Sequence, residues 1–210
     1  MNVALLIAAV CSLISYTPRA TVPTASSQLS GDYVETRTAS VFAGPCHYNG
    51  EVMNTGRDAM MAWKFDSGVR VMAVVSCDAN LADQTAARKS EIVIDKSAGE
   101  VQAQAALNSI LSHDKSMLGK VVSIREGKIN FSHVGREYQV ECAGLGSMDV
   151  QGMPNDECCK QPNLVWYEPL VKLTGRKVGY TVDAEFSGGK VADSWQREDE
   201  NGAFYGAFAY

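Results

Sequence analysis

Alternation of apolar and polar side chains predicts that most of the chain forms β-strands. The segment GDYVETRTAS, residues 31–40, is rich in β-formers, and we interpret it as a first strand. Apolar side chains then recur at every second position of AMMAWKF: Ala59, Met61, Trp63 and Phe65. Gly68 separates this run from a second apolar run, VRVMAVVSC. The two runs predict a β-hairpin with one face on the core.

A helix is predicted after the third strand, EIVID, at residues 91–95. Ser97, with Glu100 three residues later, matches a capping box, in which both residues satisfy free backbone N–H groups at the start of a helix. An apolar stripe at helical spacing follows and ends near His113: Val101, Ala105, Leu107, Ile110 and Leu111. We therefore predict one principal amphipathic helix over about residues 98–113.

The rest of the chain returns to strand patterns. They occur at residues 120–125, 128–132, 137–143, 164–167, 178–186, 191–195 and 204–210. Residues 144–163, GLGSMDVQGMPNDECCKQPN, show no periodicity and are rich in Gly and Pro, which predicts a long irregular loop. The expected fold class is α+β, mainly antiparallel β-sheet with the one principal helix.

The N-terminal segment predicts export. Residues 3–16, VALLIAAVCSLISY, carry no charge, and the run is shorter than the roughly 20 residues that span a bilayer. It fits the apolar region of a secretory signal peptide over residues 1–25, followed by a single globular domain over residues 26–210. The alternatives for this segment are a buried helix or an uncleaved anchor.

The mature chain is expected to begin between Thr21 and Gly31, where small residues occur without the usual A-x-A pattern. Cys11 offers a lipoprotein alternative, which the bulk of Val10 beside it disfavours. After cleavage, no membrane span is expected.

Composition and charge narrow the function. The chain has 210 residues, of which 46% are hydrophobic, and a net charge of −5. Because the sequence contains no basic run, nucleic acids and anionic membranes are not expected partners. It contains neither a P-loop nor a dinucleotide-binding glycine motif. His113 and His133 are expected to be structural, and an enzyme is not favoured, although Cys46 with His47 or His133 as base stays open.

Four segments carry a resemblance to a known family. They are GDYVETRTASVFAGPCHYNGE, AMMAW, SCDANLAD and ECCKQPNLVWYEPL, and their most specific features are the GPC motif and the adjacent Cys158 and Cys159. From about Gly31 to Tyr210, the chain resembles the domain of unknown function 1326 family of exported bacterial proteins. The resemblance implies one exported bacterial domain, periplasmic or secreted, and assigns no catalytic residues.

Five cysteines follow the predicted leader: Cys46, Cys77, Cys142, Cys158 and Cys159. An oxidising compartment favours disulfides, and an odd number leaves one thiol unpaired. Cys77 ends an apolar strand and is expected to be a buried free thiol. Since adjacent cysteines rarely bond to each other, one hypothesis is two disulfides that tie the loop cysteines to Cys46 and Cys142.

A second hypothesis is a soft-metal site. Thiolate, imidazole and thioether ligands favour Cu(I), whereas zinc is bound by thiolate and imidazole. The candidate donors are Cys46, His47, Cys142, Met148, Met153, Cys158 and Cys159. Copper is favoured over zinc because methionines accompany the thiols and a periplasmic location is expected. A third hypothesis is a thiol–disulfide redox protein, although no helix pattern follows the adjacent cysteines to activate them.

Overall fold

The computed structural model describes residues 29–43, 55–153 and 164–210. Strands form most of these residues, and two helices lie between the fifth and sixth strands. The strands are β1 (Ser30–Arg37), β2 (Phe42–Ala43), β3 (Asp58–Phe65), β4 (Arg70–Cys77), β5 (Arg88–Asp95), β6 (Lys120–Gly127), β7 (Ile129–Val134), β8 (Glu137–Cys142), β9 (Gly146–Gly152), β10 (Leu164–Val165), β11 (Thr174–Phe186) and β12 (Trp195–Ala209). The helices are α1 (Glu100–His113) and α2 (Lys115–Leu118).

Ten of the described strands form one sheet, in the order β6-β5-β4-β3-β1-β12-β11-β9-β8-β7, and β2 pairs with β10 in a second sheet. Neighbouring strands are antiparallel except β5 and β6, which run parallel and are joined through the two helices. A parallel pair needs such a crossover, because a tight turn reverses the chain. The predicted fold class, α+β with mainly antiparallel sheet, is confirmed. Among the described residues, no helix is long and apolar enough to span a membrane.

The sheet curls so that its last strand, β7, crosses the ends of earlier strands. The Nζ atom of Lys64, near the end of β3, lies 5.9 Å from the centre of the Phe131 ring. The Nδ1 atom of His133 lies 3.1 Å from the Oδ2 atom of Asp32, near the start of β1. β7 therefore passes over one end of β3 and then of β1, and the curled sheet encloses an interior.

Both faces of the sheet are consequently buried near its middle. On one face, a helix-side core packs under α1 and contains Tyr33, Met61, Trp63, Ile92, Ala106 and Ile110. On the other face, an enclosed core fills the curl and contains Val34, Met60, Met72, Val140, Met148 and Phe186. Because β3 and β4 contribute to both cores, they bury consecutive residues, and the expectation that only one face of this hairpin meets the core is wrong.

The main helix begins later than predicted. α1 starts at Glu100, and its N-cap residue, Gly99, makes no side-chain cap. The predicted capping box is absent because the Ser97 hydroxyl donates to the Asp95 carboxylate instead, at 2.8 Å. Val101 is 80% exposed and Ala105 is exposed as well, so neither belongs to the buried apolar stripe as predicted. The helix buries Ala106, Leu107 and Ile110.

Two strand predictions near the C-terminus also need correction. Residues 146–152 are not part of an irregular loop, since they form β9 between β8 and β11, with Met148 and Val150 directed into the enclosed core. The strands predicted at residues 191–195 and 204–210 are replaced by one long strand, β12. An irregular register beside Asp199, whose φ angle is 54°, interrupts its alternation.

Candidate functional site

Two of the predicted metal donors lie in the enclosed core. Cys142 is 1% exposed and has a free thiol, and Met148 is buried in the same core. Burial raises the pKa of the Cys142 thiol, which disfavours the thiolate that a metal requires. Cys77 is also a buried free thiol, as predicted, and lies in the helix-side core.

Met153 lies elsewhere, at a small apolar cluster that we call the Phe42 cluster. Its buried members are Val41, Phe42 and Phe204, and the side chains packed against them are Met153, Val165, Tyr167 and Val178. The structure therefore separates Met153 from Cys142 and Met148. The remaining predicted donors, Cys46, His47, Cys158 and Cys159, lie outside the described residues.

The pairing of β2 with β10 fixes the borders of both segments that carry these remaining donors. Ala43, the last described residue before Cys46, is the register partner of Leu164, the first described residue after Cys159. Backbone hydrogen bonds hold this small sheet in place, from Trp166 N–H to the Val41 carbonyl at 2.9 Å and from Val41 N–H to the Asn201 carbonyl at 2.7 Å. Two positions distant in sequence are thus neighbours in space.

The other two borders lie beside the same cluster. The Asn80 amide nitrogen is 3.4 Å from the Thr55 carbonyl and 3.4 Å from the Tyr167 hydroxyl, and the Tyr167 ring packs on the Phe42 cluster. Met153, the last described residue before Cys158, packs there as well. All four borders, Ala43, Thr55, Met153 and Leu164, therefore lie around one cluster.

A buried ion pair holds the chain that follows β10. The Arg37 Nη2 atom lies 2.6 Å from Glu35 Oε1, and both side chains are buried in β1. Glu35 Oε2 accepts hydrogen bonds from the Leu170 N–H at 2.8 Å and the Tyr33 hydroxyl at 2.6 Å. Arg37 also donates to the Glu168 carbonyl. These bonds attach residues 168–170, and with them β10, to the main sheet.

Asn201 is a further polar feature beside the Phe42 cluster. Its side chain is 0% exposed, and neither the amide nitrogen nor the amide oxygen makes a hydrogen bond. The neighbouring Glu200 also has one buried carboxylate oxygen without a partner. A buried polar group without a hydrogen bond lowers the stability of the folded protein. Proteins that keep such a group usually do so at functional positions. Sequence reasoning missed Asn201 because its burial depends on the pairing of β12 with Val41.

A polar cleft of about 480 Å³ lies where β7, β8, β9 and β11 meet the start of β4. Its charged lining residues are Arg70, Glu141, Asp149 and Asp183. Arg70 is paired with Asp95 at 2.7 Å, so the three carboxylates dominate the charge of the cleft. The described residues contain no group of three His, Cys, Asp or Glu side chains placed to hold a metal ion.

We expect Asp183→Asn to stabilise the protein. Asp183 lies directly opposite Asp149 on β9 and Glu198 on β12, and like charges in such pairs are destabilising. The gain in unfolding free energy should be roughly 0.2–1 kcal/mol and should shrink at high salt. Urea denaturation at two salt concentrations measures it. Glu185→Gln is the matched control, because the partners of Glu185 are the neutral Ser147 and Gln196; equal gains in both variants would contradict the charge argument.

The two described histidines make structural contacts. The His113 ring stacks on the Tyr210 ring, with 4.7 Å between the ring centres. The His133 ring stacks on Tyr138 at 4.0 Å and its Nδ1 atom faces Asp32.

Comparisons with family models, curated proteins and solved structures find no match for this chain, so the resemblance to the domain of unknown function 1326 family stays a prediction.

Proposed function

We propose that this chain is an exported, periplasmic domain that binds a soft metal ion, Cu(I) in preference to zinc. The proposed ligands are the thiolates of Cys46, Cys158 and Cys159, with His47 and Met153 as additional donors. The observation that carries the proposal is the β2–β10 pair, because it brings the borders of both donor-bearing segments to the Phe42 cluster.

Chain length supports a shared site. Cys46 follows Ala43 by three residues, a span of at most about 10 Å, and Cys159 precedes Leu164 by five residues, at most about 18 Å. Since paired strands are about 5 Å apart, both thiols are within reach of a single ion. Met153, packed on the same cluster, supplies the thioether that favours Cu(I).

Cys142 and Met148 do not belong to the proposed ligand set. Both side chains are buried in the enclosed core, on the face opposite the Phe42 cluster, and the Cys142 thiolate is disfavoured by burial. Asn201 supports the location, because its backbone carbonyl accepts a hydrogen bond from the Val41 N–H and its buried side-chain amide makes no hydrogen bond. The Arg37–Glu35 pair supports the rigidity of the site, because it fixes the chain after β10.

Because the two cysteine-bearing segments begin and end close together, a competing arrangement is also favoured. In it, a disulfide joins Cys46 to Cys158 or Cys159, and the protein is a disulfide-stabilised binding module without metal. Alkylation and intact mass before and after reduction, together with metal analysis of the same periplasmic sample, separate the two. After unfolding, we expect all three remaining thiols, those of Cys46, Cys158 and Cys159, to be alkylated in addition to Cys77 and Cys142, and we expect about one equivalent of copper. A disulfide between the segments with no bound metal would refute the metal site, and thiols that cycle with glutathione would favour the redox hypothesis.

Export makes a prediction about processing. The Leu29 N–H donates to the Tyr210 carbonyl at 3.2 Å, and the Tyr210 N–H donates to the Leu29 carbonyl at 2.8 Å. Removing Leu29 would break this pairing at the start of β1, so we expect the mature chain to begin between Thr21 and Leu29. N-terminal sequencing of the periplasmic protein measures this. A mature chain that begins after Leu29 would contradict the expectation.

A further inference from the structure

Three aromatic side chains form a connected row through the helix-side core. Tyr33 on β1 and Trp63 on β3 are register partners, and their rings meet edge to face with 5.3 Å between centres. The Trp63 indole N–H donates to the Tyr210 hydroxyl at 2.9 Å. Tyr33 and Trp63 are fully buried, whereas Tyr210 is partly exposed and stacks on the exposed His113 ring. The row thus runs from the interior to the surface.

Each phenol hydroxyl in the row donates a hydrogen bond to a carboxylate. The Tyr33 hydroxyl donates to Glu35, and the Tyr210 hydroxyl donates to Asp114 in the turn between α1 and α2. Burial raises the pKa of both phenols well above the ordinary value, so neither ionises on its own. A phenol that loses an electron becomes strongly acidic, and a hydrogen-bonded carboxylate then provides the immediate acceptor for its proton.

We propose that Tyr33, Trp63 and Tyr210 form a relay that carries a one-electron oxidising equivalent from the protein interior to Tyr210 at the surface. This activity goes beyond the proposed metal binding and does not depend on it. The oxidant is of the class of oxygen-centred radicals that accept one electron and become the corresponding anion.

The terminal step balances in atoms and electrons. An oxygen-centred radical at the protein surface takes one electron from Trp63 through the protein, because the indole is fully buried, and is reduced to the corresponding anion, which leaves the indole radical cation. The Tyr210 phenol then passes one electron to Trp63, and its O–H bond breaks as the proton moves to the Asp114 carboxylate. The products are neutral Trp63, a tyrosyl radical at Tyr210 and protonated Asp114. A solvent reductant restores Tyr210 by returning one electron, and Asp114 returns the proton.

The charges around the two carboxylates make Tyr210 the end of the relay. Glu35 is compensated by the Arg37 guanidinium, so protonating it leaves a buried cation unpaired. Asp114 has no ion-pair partner among the described residues, and burial raises its pKa to about 6. Asp114 is therefore the better proton acceptor, and oxidation of Tyr210 is easier than oxidation of Tyr33.

Laser photoionisation at a wavelength that only tryptophan absorbs tests the relay. In the full chain with Trp166→Phe and Trp195→Phe, Trp63 is the sole tryptophan, and the pulse creates its radical inside the protein. At pH 8 we expect the tryptophan radical to decay as a tyrosyl radical appears, at a rate independent of protein concentration. Tyr210→Phe and Asp114→Asn should each slow this decay severalfold. Tyr210→Phe removes the phenol that supplies the electron, whereas Asp114→Asn keeps the phenol and removes the carboxylate that accepts its proton.

Tyr180→Phe, a tyrosine on β11 outside the row, is the matched control and should leave the decay unchanged. Equal decay rates in Tyr210→Phe, Asp114→Asn and the control would overturn the relay. A decay that slows in Tyr33→Phe but not in Tyr210→Phe would overturn the proposed direction. Circular dichroism of each variant shows whether it remains folded. The proposal requires that the tryptophan radical decay more slowly in both Tyr210→Phe and Asp114→Asn.

Discussion

Arg37→Met is expected to lower the free energy of unfolding by about 3–5 kcal/mol. Arg37 and Glu35 are both buried, and the substitution leaves the Glu35 carboxylate inside the protein without its counter-charge. It also removes the donor to the Glu168 carbonyl, so the chain after β10 loses one of its attachments and keeps the bond from the Leu170 N–H to Glu35. Urea denaturation followed by tryptophan fluorescence measures the loss.

The double variant Glu35→Gln/Arg37→Met provides the control. Glutamine removes the buried charge, and its amide oxygen still accepts from the Tyr33 hydroxyl and the Leu170 N–H. We therefore expect the double variant to be more stable than Arg37→Met alone. If the double variant is equally unstable, the loss comes from side-chain packing and not from an uncompensated charge.

Asp114→Asn is expected to change how stability depends on pH. Burial raises the pKa of Asp114 in the folded protein to about 6, from an ordinary value of 3.8. The folded state therefore holds this proton more tightly than the unfolded state, and the contribution of Asp114 to stability is present below about pH 4 and is lost as pH rises through 6. The pKa difference corresponds to about 3 kcal/mol.

Asparagine accepts the Tyr210 hydrogen bond at every pH and carries no charge. Relative to the wild type, Asp114→Asn should therefore gain about 3 kcal/mol between pH 4 and pH 7. Denaturant titrations of both proteins at several pH values give this difference. Because all other titrating groups are the same in the two proteins, their contributions cancel when the two unfolding free energies are subtracted. A difference that does not vary with pH would show that Asp114 ionises normally in the fold.

Local pattern predicted the elements better than it predicted their arrangement. Strands with a clear pattern, such as the alternating β3 and β8 and the apolar run of β4, lie where the sequence predicts them. β9 was missed because its glycines at both ends weaken the apolar pattern, and it is stabilised by pairing with β8 and β11. The curl that buries both faces of β3 and β4 depends on contacts between distant strands, which no short window of sequence contains.

The sequence predicts which residue types could bind a metal ion, but not where in the fold these residues lie. Cysteine, histidine and methionine stand out in any sequence, but the pairing of Ala43 with Leu164 joins residues more than a hundred positions apart. Tyr33, Glu35 and Arg37 share one face of β1 because they occupy alternate positions, but the sequence gives no sign that this face is buried. The Arg37–Glu35 pair and the unpartnered Asn201 became visible only in the folded chain.

Competitive Cu(I) titration of matched cysteine variants tests the proposed metal site most directly. Cys46→Ala and Cys158→Ala/Cys159→Ala remove proposed ligands, whereas Cys142→Ala removes a thiol of the enclosed core. We predict that the first two lose Cu(I) binding against a chromogenic chelator, and that Cys142→Ala retains the affinity of the wild type. Retained affinity in Cys46→Ala and in Cys158→Ala/Cys159→Ala, or its loss in a folded Cys142→Ala protein, would contradict a site at the Phe42 cluster.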